Sequence, residues 1–412
     1  MRIAVAVHGT RGDVEPCTAV ARELRGRGHQ VRMAVPPNLL GFVASIGFTD
    51  AVSYGVDSQQ QVESDVFQNY WQFHNPLTVA RKAIDYYTAG WADMNSALTA
   101  LAADADIILT GTTYQEVAAN VAERFGIPMA SLHYFPARPN SQLIPVPAPP
   151  WVAKSGFAVA EWGLWRISKK AEDEQRRTLG LPMSTVRSAK RVVDSGALEI
   201  QAYDAQFYPG LTEEWNGTRP FVGAITLGLQ TTTDDEVTTW IEAGTPPIYF
   251  GFGSMPVESP ADAVTMITEV CAELGERALI SSGVWKLDDM PHVDHVKLVG
   301  AVNHATVFPT CRAVVHHGGA GTTAAGARAG VPTLVLWVSA DQPFWARQVK
   351  KLKIGTSQRF TRVNRASLTE ALRTVLDPAV AGRARDFAAG LTTPAQSVGA
   401  AADLIERRAG NN

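Results

Sequence analysis

Short apolar runs rich in β-branched residues alternate with longer amphipathic stretches along most of the chain. The stretch from Glu15 to Arg27 places Ala19, Val20 and Leu24 on one face, as an amphipathic helix does. Buried strands are predicted at 2–7, 31–35, 107–110, 128–132, 247–251, 278–281, 296–299, 313–316 and 333–336. Strands that alternate with helices in this way predict the α/β class, with parallel sheets.

The alternation lapses between residues 138 and 170, where prolines and tryptophans collect, and it resumes with the strand at 247–251. A chain of 412 residues also exceeds the size at which a single core stops growing. We therefore predict two doubly wound, Rossmann-like domains that share a cleft, with a hinge near 219–223. The predicted bounds are 1–218 and 219–388 for the domains, and 389–412 for a C-terminal helix that packs back on the first domain.

Charge and composition limit the classes of partner. Lys and Arg number 37 against 40 Asp and Glu, so no bulk positive field recruits nucleic acid. The apolar stretch at residues 1–7 is too short, and is followed too soon by charged residues, to be a signal peptide. No apolar run reaches the roughly 20 residues that cross a bilayer. Cys17, Cys271 and Cys311 are odd in number and widely spaced, which favours buried thiols over disulfides or a zinc site. We expect a cytoplasmic protein with at most local membrane contact.

The sharpest local signal is a buried strand that runs into His316-His317-Gly318-Gly319, with an alanine-rich helix directly after it. Glycines let backbone N–H groups approach a ligand, and a helix start offers unpaired donors and the positive end of its dipole. An adjacent histidine adds a donor or a positive charge. The segment is therefore a candidate diphosphate site, although a simple turn and helix cap also explains the glycines and Thr322.

Two more loops follow predicted strands. In Gly251-Phe252-Gly253-Ser254 the Ser254 hydroxyl can donate to a phosphate. This loop lacks the third glycine of a dinucleotide fingerprint, so a nicotinamide dehydrogenase loses its main support. In Asp341-Gln342 a carboxylate beside a carboxamide suits vicinal sugar hydroxyls, and helix capping by Asp341 explains the pair about as well.

Taken together, these motifs resemble a known family. His317-Gly318-Gly319-Ala320-Gly321-Thr322, then Gly330-Val331-Pro332 and Asp341-Gln342, resemble the nucleotide-sugar signature of family 1 glycosyltransferases, which have the GT-B fold. The opening Gly9-Thr10-Arg11-Gly12-Asp13-Val14-Glu15-Pro16 is similar to the start of the same family, including sterol and glycopeptide-antibiotic enzymes. With Cys17 and Pro36-Pro37-Asn38-Leu39, the chain most resembles the mycobacterial glycolipid and glycopeptidolipid branch. The motifs come from both ends in the family's order, so the resemblance covers essentially the whole chain.

The resemblance implies a nucleoside-diphosphate sugar as donor. No cluster in the sequence has metal-ligand spacing, so we expect neither a cofactor nor a metal. Its implied donor contacts are His317, Gly319, Gly321, Thr322 and Ser254 for the diphosphate, Asp341 and Gln342 for the sugar, Trp285 and the backbone at Val302 for the base, and Arg11 and Gly12 of the opening motif. Plant members carry a ribose-binding glutamate where this chain has Ala325. A thymidine-diphosphate (dTDP) sugar, which lacks the 2′-hydroxyl, would tolerate that change.

The same resemblance places Asp13 where plant members carry a catalytic histidine. Transfer to a hydroxyl needs a base that takes the proton as the bond to phosphate breaks, and one carboxylate suffices. The implied reaction is a direct, inverting transfer with Asp13 as base, whereas local chemistry alone favours a helix cap equally. His8 and His133 lie near predicted strand ends and are predicted to be packed or acceptor-lining residues, with orientation of Asp13 as the alternative. Asp104-Ala105-Asp106 precedes its strand, so we interpret it as a solvated loop rather than a metal motif.

Aromatic residues at 54–91 and 151–165 predict an apolar acceptor groove in the first domain, with Trp71, Phe73 and His133 as contacts. An ordinary packed insertion explains the aromatics about as well. The tryptophans at 151–165 and the basic residues after them suggest a bilayer contact, which the acidic run at 172–174 would weaken.

The predicted function is therefore transfer of a hexose, a deoxy sugar included, from dTDP or UDP to a hydroxyl of a hydrophobic acceptor such as a glycolipid or glycopeptidolipid. A sterol or a small natural product is the alternative acceptor. Two other functions would use the same donor site. One is hydrolysis or epimerisation of the donor, and the other is non-catalytic binding of a nucleotide sugar.

Overall fold

The computed structural model describes residues 1–63, 76–143, 150–229, 231, 234–253, 259–283 and 293–410. The chain forms two compact units. Unit 1 comprises Met1–Tyr203, Gly210–Leu227 and Pro394–Asn412, and unit 2 comprises Asp204–Pro209 and Gly228–Thr393. The chain thus passes from unit 1 to the main part of unit 2 after residue 227, whereas the sequence predicts the domain boundary after residue 218. The short segment 204–209 belongs to unit 2, and the C-terminal stretch enters unit 1 at residue 394 rather than 389.

Unit 1 contains a six-stranded parallel sheet. Its strands are β1 (Arg2–Ala6), β2 (Gln30–Val35), β3 (Val52–Ser53), β4 (Ile107–Thr110), β5 (Met129–His133) and β6 (Leu198–Gln201). They lie in the order β3-β2-β1-β4-β5-β6, and β1 pairs in parallel with both β2 and β4. The order reverses between β1 and β4, which is where such sheets bind ligands, at the carboxyl ends of the strands.

The helices of unit 1 cover both faces of this sheet. They are α1 (Arg11–Gly26), α2 (Leu40–Ser45), α3 (Ser58–Glu63), α4 (Pro76–Thr88), α5 (Trp91–Ala102), α6 (Gln115–Phe125), α7 (Pro150–Thr178), α8 (Ser188–Asp194), α9 (Leu211–Glu214) and α17 (Pro394–Gly410). Among the described residues, no helix combines the length and the apolar character that a membrane crossing needs.

Unit 2 repeats this topology. Its strands are β7 (Ile248–Gly251), β8 (Ala278–Ser281), β9 (Val296–Val299), β10 (Ala313–His316), β11 (Thr333–Trp337) and β12 (Gly355–Arg359). They lie in the order β12-β11-β10-β7-β8-β9, so the reversal falls between β7 and β10. Its helices are α10 (Asp234–Glu242), α11 (Pro260–Leu274), α12 (His304–Val307), α13 (Ala320–Arg328), α14 (Gln342–Lys351), α15 (Arg365–Val375) and α16 (Pro378–Ala388). The α/β class with two Rossmann-like sheets is confirmed.

Buried apolar positions explain why the central strands form. In β10, Val315 packs with Phe250 on one face of the sheet, whereas Val314 packs with Leu279 and Phe308 on the other. A parallel strand that is covered on both faces appears in the sequence as a continuous apolar run. This covered strand carries His316 and His317 to the carboxyl edge of the sheet.

The C-terminal helix α17 packs on α1 within unit 1. The Arg27 guanidinium, just past the end of α1, donates to Asp403 at 2.6 Å and to Glu406 at 2.8 Å. His29 Nε2 lies 2.7 Å from a Glu406 carboxylate oxygen. These partly exposed ion pairs fix the orientation of α17 on unit 1.

Candidate active site

The loop after β1 becomes helix one turn earlier than the sequence pattern predicts. The pattern places the start of α1 at Glu15, whereas the structure begins the helix at Arg11, with Thr10 as N-cap. Asp13 is therefore the third helical residue and does not lie in a loop before the helix. Its Oδ2 accepts from the Thr10 backbone N–H at 2.8 Å and from Thr10 Oγ1 at 3.3 Å, as the third residue of a capping box does.

Two tyrosines of unit 1 interact with Asp13. The Tyr134 hydroxyl donates to the Asp13 backbone carbonyl at 2.7 Å. Burial, and then the negative charge of Asp13, raise the pKa of the Tyr86 phenol. Tyr86 also lines a cavity of ≈ 340 Å³, together with Val56, Gln60 and Lys82. Tyr134 has no sequence signal of its own, because only its position after β5 brings it to the start of α1.

The other residues of the opening motif have local partners. The Arg11 Nε donates to Glu15 at 3.1 Å, and its guanidinium lies 4.7 Å from the centre of the Phe42 ring. The second Glu15 oxygen accepts from the Leu227 backbone N–H at 3.2 Å. Gly12 is exposed. The start of α1 is thus fixed to its surroundings in unit 1, and a donor contact by Arg11 or Gly12 stays a prediction.

The two histidines at the strand ends of unit 1 are packed. His8 Nε2 lies 3.0 Å from the Val56 carbonyl oxygen, and burial lowers the pKa of this imidazole. His133 is 0% exposed, its Nε2 lies 3.2 Å from Ser131 Oγ, and burial lowers its pKa to about 3. An enclosed ring offers no surface to a substrate. The structure therefore argues against His133 as a direct acceptor contact.

In unit 2 the loop after β10 is built around histidine and glycine. The Gly318 backbone N–H donates to His316 Nδ1 at 2.9 Å, so the fully buried His316 ring holds the turn. Gly318 has φ +93°, and a Cβ there would lie 2.7 Å from Val335 Cγ1. Gly319 then serves as N-cap of α13 and supplies no side-chain hydrogen bond to the helix start. The first-turn N–H groups are therefore open to an external acceptor.

The His317 imidazole lies between the glycine-containing loops after β7 and β10. A Cβ on Gly253 would come within 3.1 Å of His317 Cε1, and one on Gly319 within 2.6 Å of His317 Nε2. Burial lowers the pKa of His317 to about 4, against a smaller opposite effect of the Gly251 carbonyl. The ring is therefore neutral near pH 7 in the free protein, so it carries a single N–H and not the positive charge considered from the sequence. Part of His317 reaches the surface, where a ligand can contact it.

Asp341 and Gln342 open α14 at the carboxyl end of β11. Asp341 Oδ2 accepts from the Trp345 indole N–H at 3.2 Å, and burial raises the pKa of this carboxyl to about 6. Gln342 Oε1 accepts from the Val338 N–H at 2.8 Å, so its amide N–H groups are the ones left to donate. Ala340 just before the pair has φ +56°, a strained conformation for alanine. Trp345, at i+4 from Asp341, was missed in the sequence analysis.

Comparisons with known proteins match both units. Residues 3–140 match the model of the glycosyltransferase family 28 N-terminal domain, and residues 262–404 match the erythromycin biosynthesis protein CIII-like C-terminal domain. An uncharacterized glycosyltransferase of Mycobacterium tuberculosis (strain ATCC 25618 / H37Rv) is 54% identical over 98% of both chains. The chain belongs to the glycosyltransferases. The glycosyltransferase GtfE of Amycolatopsis orientalis is 30% identical over 98% of this chain and 97% of its own.

A solved structure confirms the GT-B fold of this glycosyltransferase. The glycosyltransferase VinC, crystallised in complex with dTDP, has a TM-score of 0.67, 17% identity and full coverage of both chains. At this identity the similarity concerns the fold alone. It agrees with the two sheets of identical strand order described above.

Five further predicted contacts of the glycosyltransferase remain to be placed. Ser254, Trp285, Trp71 and Phe73 fall outside the described residues. The Val302 side chain is buried in the apolar cluster on one face of the unit 2 sheet, which leaves only its backbone for a base contact.

The Asp104-Ala105-Asp106 segment lies at the amino edge of the unit 1 sheet. Asp104 pairs with Arg32, and Asp106 Oδ2 accepts from the Arg2 backbone N–H at 2.7 Å. Both carboxylates therefore have structural partners. Across the described ranges, no three His, Cys, Asp or Glu side chains come together as a metal site would require. Metal independence stays a prediction.

Proposed function

We propose that this glycosyltransferase moves a sugar from dTDP or UDP to a hydroxyl of a hydrophobic acceptor, with inversion at the anomeric carbon and without a metal. The observation that carries the proposal is the start of α13. It has no side-chain cap, and His317 Nε2 lies beside it. Backbone donors and a helix dipole at one point form a seat for an anion that gains charge as it leaves.

The proposed sugar contacts are at the start of α14. The Asp341 carboxylate accepts from a sugar hydroxyl, and the Gln342 amide donates to another. Trp345 holds one carboxylate oxygen of Asp341, so the other oxygen has a fixed direction. The acceptor loses its proton to Asp13 as its oxygen bonds to the anomeric carbon, and the diphosphate leaves with the electron pair of the broken C–O bond. The hydrogen bonds from Thr10 to Oδ2 hold this carboxylate in one orientation.

Two observations support the choice of substrates. Ala325, which stands where plant relatives bind the ribose, packs against an apolar cluster of unit 2. A deoxyribose donor needs no carboxylate there, and VinC was crystallised with dTDP. On the acceptor side, the cavity that Tyr86 lines has apolar surface from Val56, Tyr86 and Ala89 beside the charged Asp57, Lys82 and Asp85, which suits an apolar molecule that carries hydroxyl groups. A glycolipid or glycopeptidolipid is the acceptor class that we propose.

The test incubates the protein with dTDP and UDP sugars and with lipid, sterol and phenolic acceptors, and it identifies products by mass spectrometry. NMR of the product then gives the anomeric configuration, and an inverted configuration is expected. Retention would contradict direct attack. Release of free sugar without a glycoside would indicate a hydrolase. Donor binding without turnover of any kind would indicate a binding protein.

A further inference from the structure

The first half of α7 exposes large apolar side chains. Trp151 is 70% exposed, Val159 67% and Trp162 54%. The other two aromatics of this stretch, Phe157 and Trp165, are half-buried, and the Trp165 indole N–H donates to Glu172 at 3.1 Å. The aromatic stretch therefore divides into residues that pack on unit 1 and residues that face solvent.

The solvent-facing residues lie on one side of the helix. At about 100° per residue, four apolar and two basic side chains fall within about 100° of one another around the axis. We name them the α7 face: Trp151, Val152, Val159, Trp162, Arg166 and Lys170. Leu164, which is 53% exposed, lies about 200° from Trp162 and thus on the opposite side.

The acidic run after the α7 face is neutralised by neighbours. The three ion pairs are Glu172 with Arg191, Asp173 with Lys169, and Glu174 with Arg177. By contrast, in the part of the chain that the structure describes, no ion pair involves Arg166 or Lys170. The α7 face therefore presents uncompensated positive charge directly beside its exposed indoles. The acidic run at 172–174 therefore does not weaken attraction to an anionic bilayer in the way that the sequence alone indicates.

We propose that the α7 face docks on an anionic lipid bilayer surface. Indole rings prefer the headgroup boundary, because they combine a large apolar ring with one N–H donor. Lys and Arg beside them gain from anionic headgroups near the surface. A helix with both features on one face lies in the interface and does not span the membrane. The inference does not depend on the transferase reaction, because it concerns a surface and requires no turnover.

Vesicle co-sedimentation tests the proposal. The full-length protein is mixed with vesicles of phosphatidylcholine or of an equal mixture of phosphatidylcholine and phosphatidylglycerol. We expect clear preference for the anionic vesicles. The double variant Trp151→Ser, Trp162→Ser should bind at least about tenfold more weakly. Arg166→Gln and Lys170→Gln should each weaken binding about fivefold at low salt and have little effect at high salt.

Leu164→Ser is the matched control, since it removes an equally exposed apolar side chain from the opposite side of the same helix. It should bind vesicles like the wild type. The proposal fails if the wild type ignores anionic vesicles, or if Leu164→Ser loses as much binding as the double tryptophan variant. Analytical ultracentrifugation gives a further check. A dimer that the double variant converts to monomer would assign the α7 face to a second copy of the chain instead.

Discussion

The helix that follows β1 and the helix that follows β10 begin in opposite ways, although both lie beside the reversal of identical sheets. At the start of α1 the Asp13 carboxylate accepts from the Thr10 N–H, so a side chain of the helix itself occupies this end. At the start of α13 the N-cap is Gly319, which supplies no side-chain acceptor. A helix start without a side-chain acceptor leaves its first-turn donors to an external anion, whereas at a capped start a side chain already occupies part of that position.

The two helix starts suit different chemistry, although they occupy equivalent places in the same topology: α13 suits anion binding, and α1 suits a carboxylate base. The open start of α13 suits the diphosphate, and the His317 imidazole beside it is neutral in the free protein. The closed start of α1 holds a carboxylate in a fixed orientation, which is what a base requires. Gly9, with φ +140°, permits this arrangement, because a Cβ there would lie 2.3 Å from Asp13 Oδ2. The comparison therefore predicts distinct outcomes for changes at each helix start.

The largest expected effect comes from Asp13→Asn. An asparagine oxygen still accepts from the Thr10 N–H, but it cannot take a proton. We expect turnover to fall by about two to four powers of ten with an unchanged Tm. Asp13→Ala, which removes both functions, should lose turnover and also about 1 kcal/mol of stability. Turnover is measured under donor saturation and Tm by calorimetry. If the asparagine variant keeps its turnover, Asp13 is only a cap.

Gly319→Ala tests the open helix start. The added Cβ would come within 2.6 Å of His317 Nε2, so the imidazole must move away from the first-turn N–H groups. Loss of one hydrogen bond to a charged phosphate should weaken dTDP binding about 10- to 100-fold. Calorimetric titration with dTDP measures this effect.

Gly382→Ala is the control for that titration, because a Cβ at this helical glycine of unit 2 meets nothing within 4 Å. It should bind dTDP like the wild type and gain slightly in stability. Equal dTDP affinity of the Gly319→Ala and Gly382→Ala variants would place the diphosphate away from His317.

The sequence predicts the sheets well where strands are covered on both faces. The apolar run Ala313–His316 gives β10 its correct bounds, and Ile107–Thr110 does the same for β4. The strand β12 has the sequence Gly-Thr-Ser-Gln-Arg and lies at the sheet edge, so it carries no apolar signal. The start of α1 was placed four residues late, because Pro16 and two glycines obscure the helical pattern there.

The candidate site is only partly visible in the sequence. The glycines and His317 stand out because their spacing is local. The low pKa of His317 depends on burial by loops from separate strands, and no local pattern encodes it. The role of Trp345 depends on its packing against Phe207, which lies far away in the chain in the short segment of unit 2. Such tertiary contacts decide protonation and orientation, so they had to come from the structure.

Trp345→Phe should shift the pH dependence of sugar binding. The indole N–H stabilises the ionised form of Asp341, whose pKa is about 6, so its loss should raise that pKa. Binding that needs the carboxylate strengthens as pH rises through the pKa. In the variant this rise should therefore come at higher pH, and the KM for the donor should increase several-fold near pH 6.5. Affinity for dTDP alone, which lacks the sugar, should stay constant. An unmoved midpoint would show that Asp341 does not contact the sugar.

The smallest effects are expected from Thr10 and Thr322. Replacing Thr10 should lower stability, whereas replacing Thr322 should lower dTDP affinity. Thr10→Ala removes an N-cap side chain that contacts Asp13, and it should cost about 1 kcal/mol of stability with little change in dTDP affinity. Thr322→Ala removes a hydroxyl from an uncapped helix start, and it should leave Tm unchanged while weakening dTDP binding up to about tenfold. Scanning calorimetry gives the Tm of each variant, and titration with dTDP gives its affinity. Stability loss in both would mean that α13, like α1, caps itself, and the anion seat would then have to lie elsewhere in unit 2.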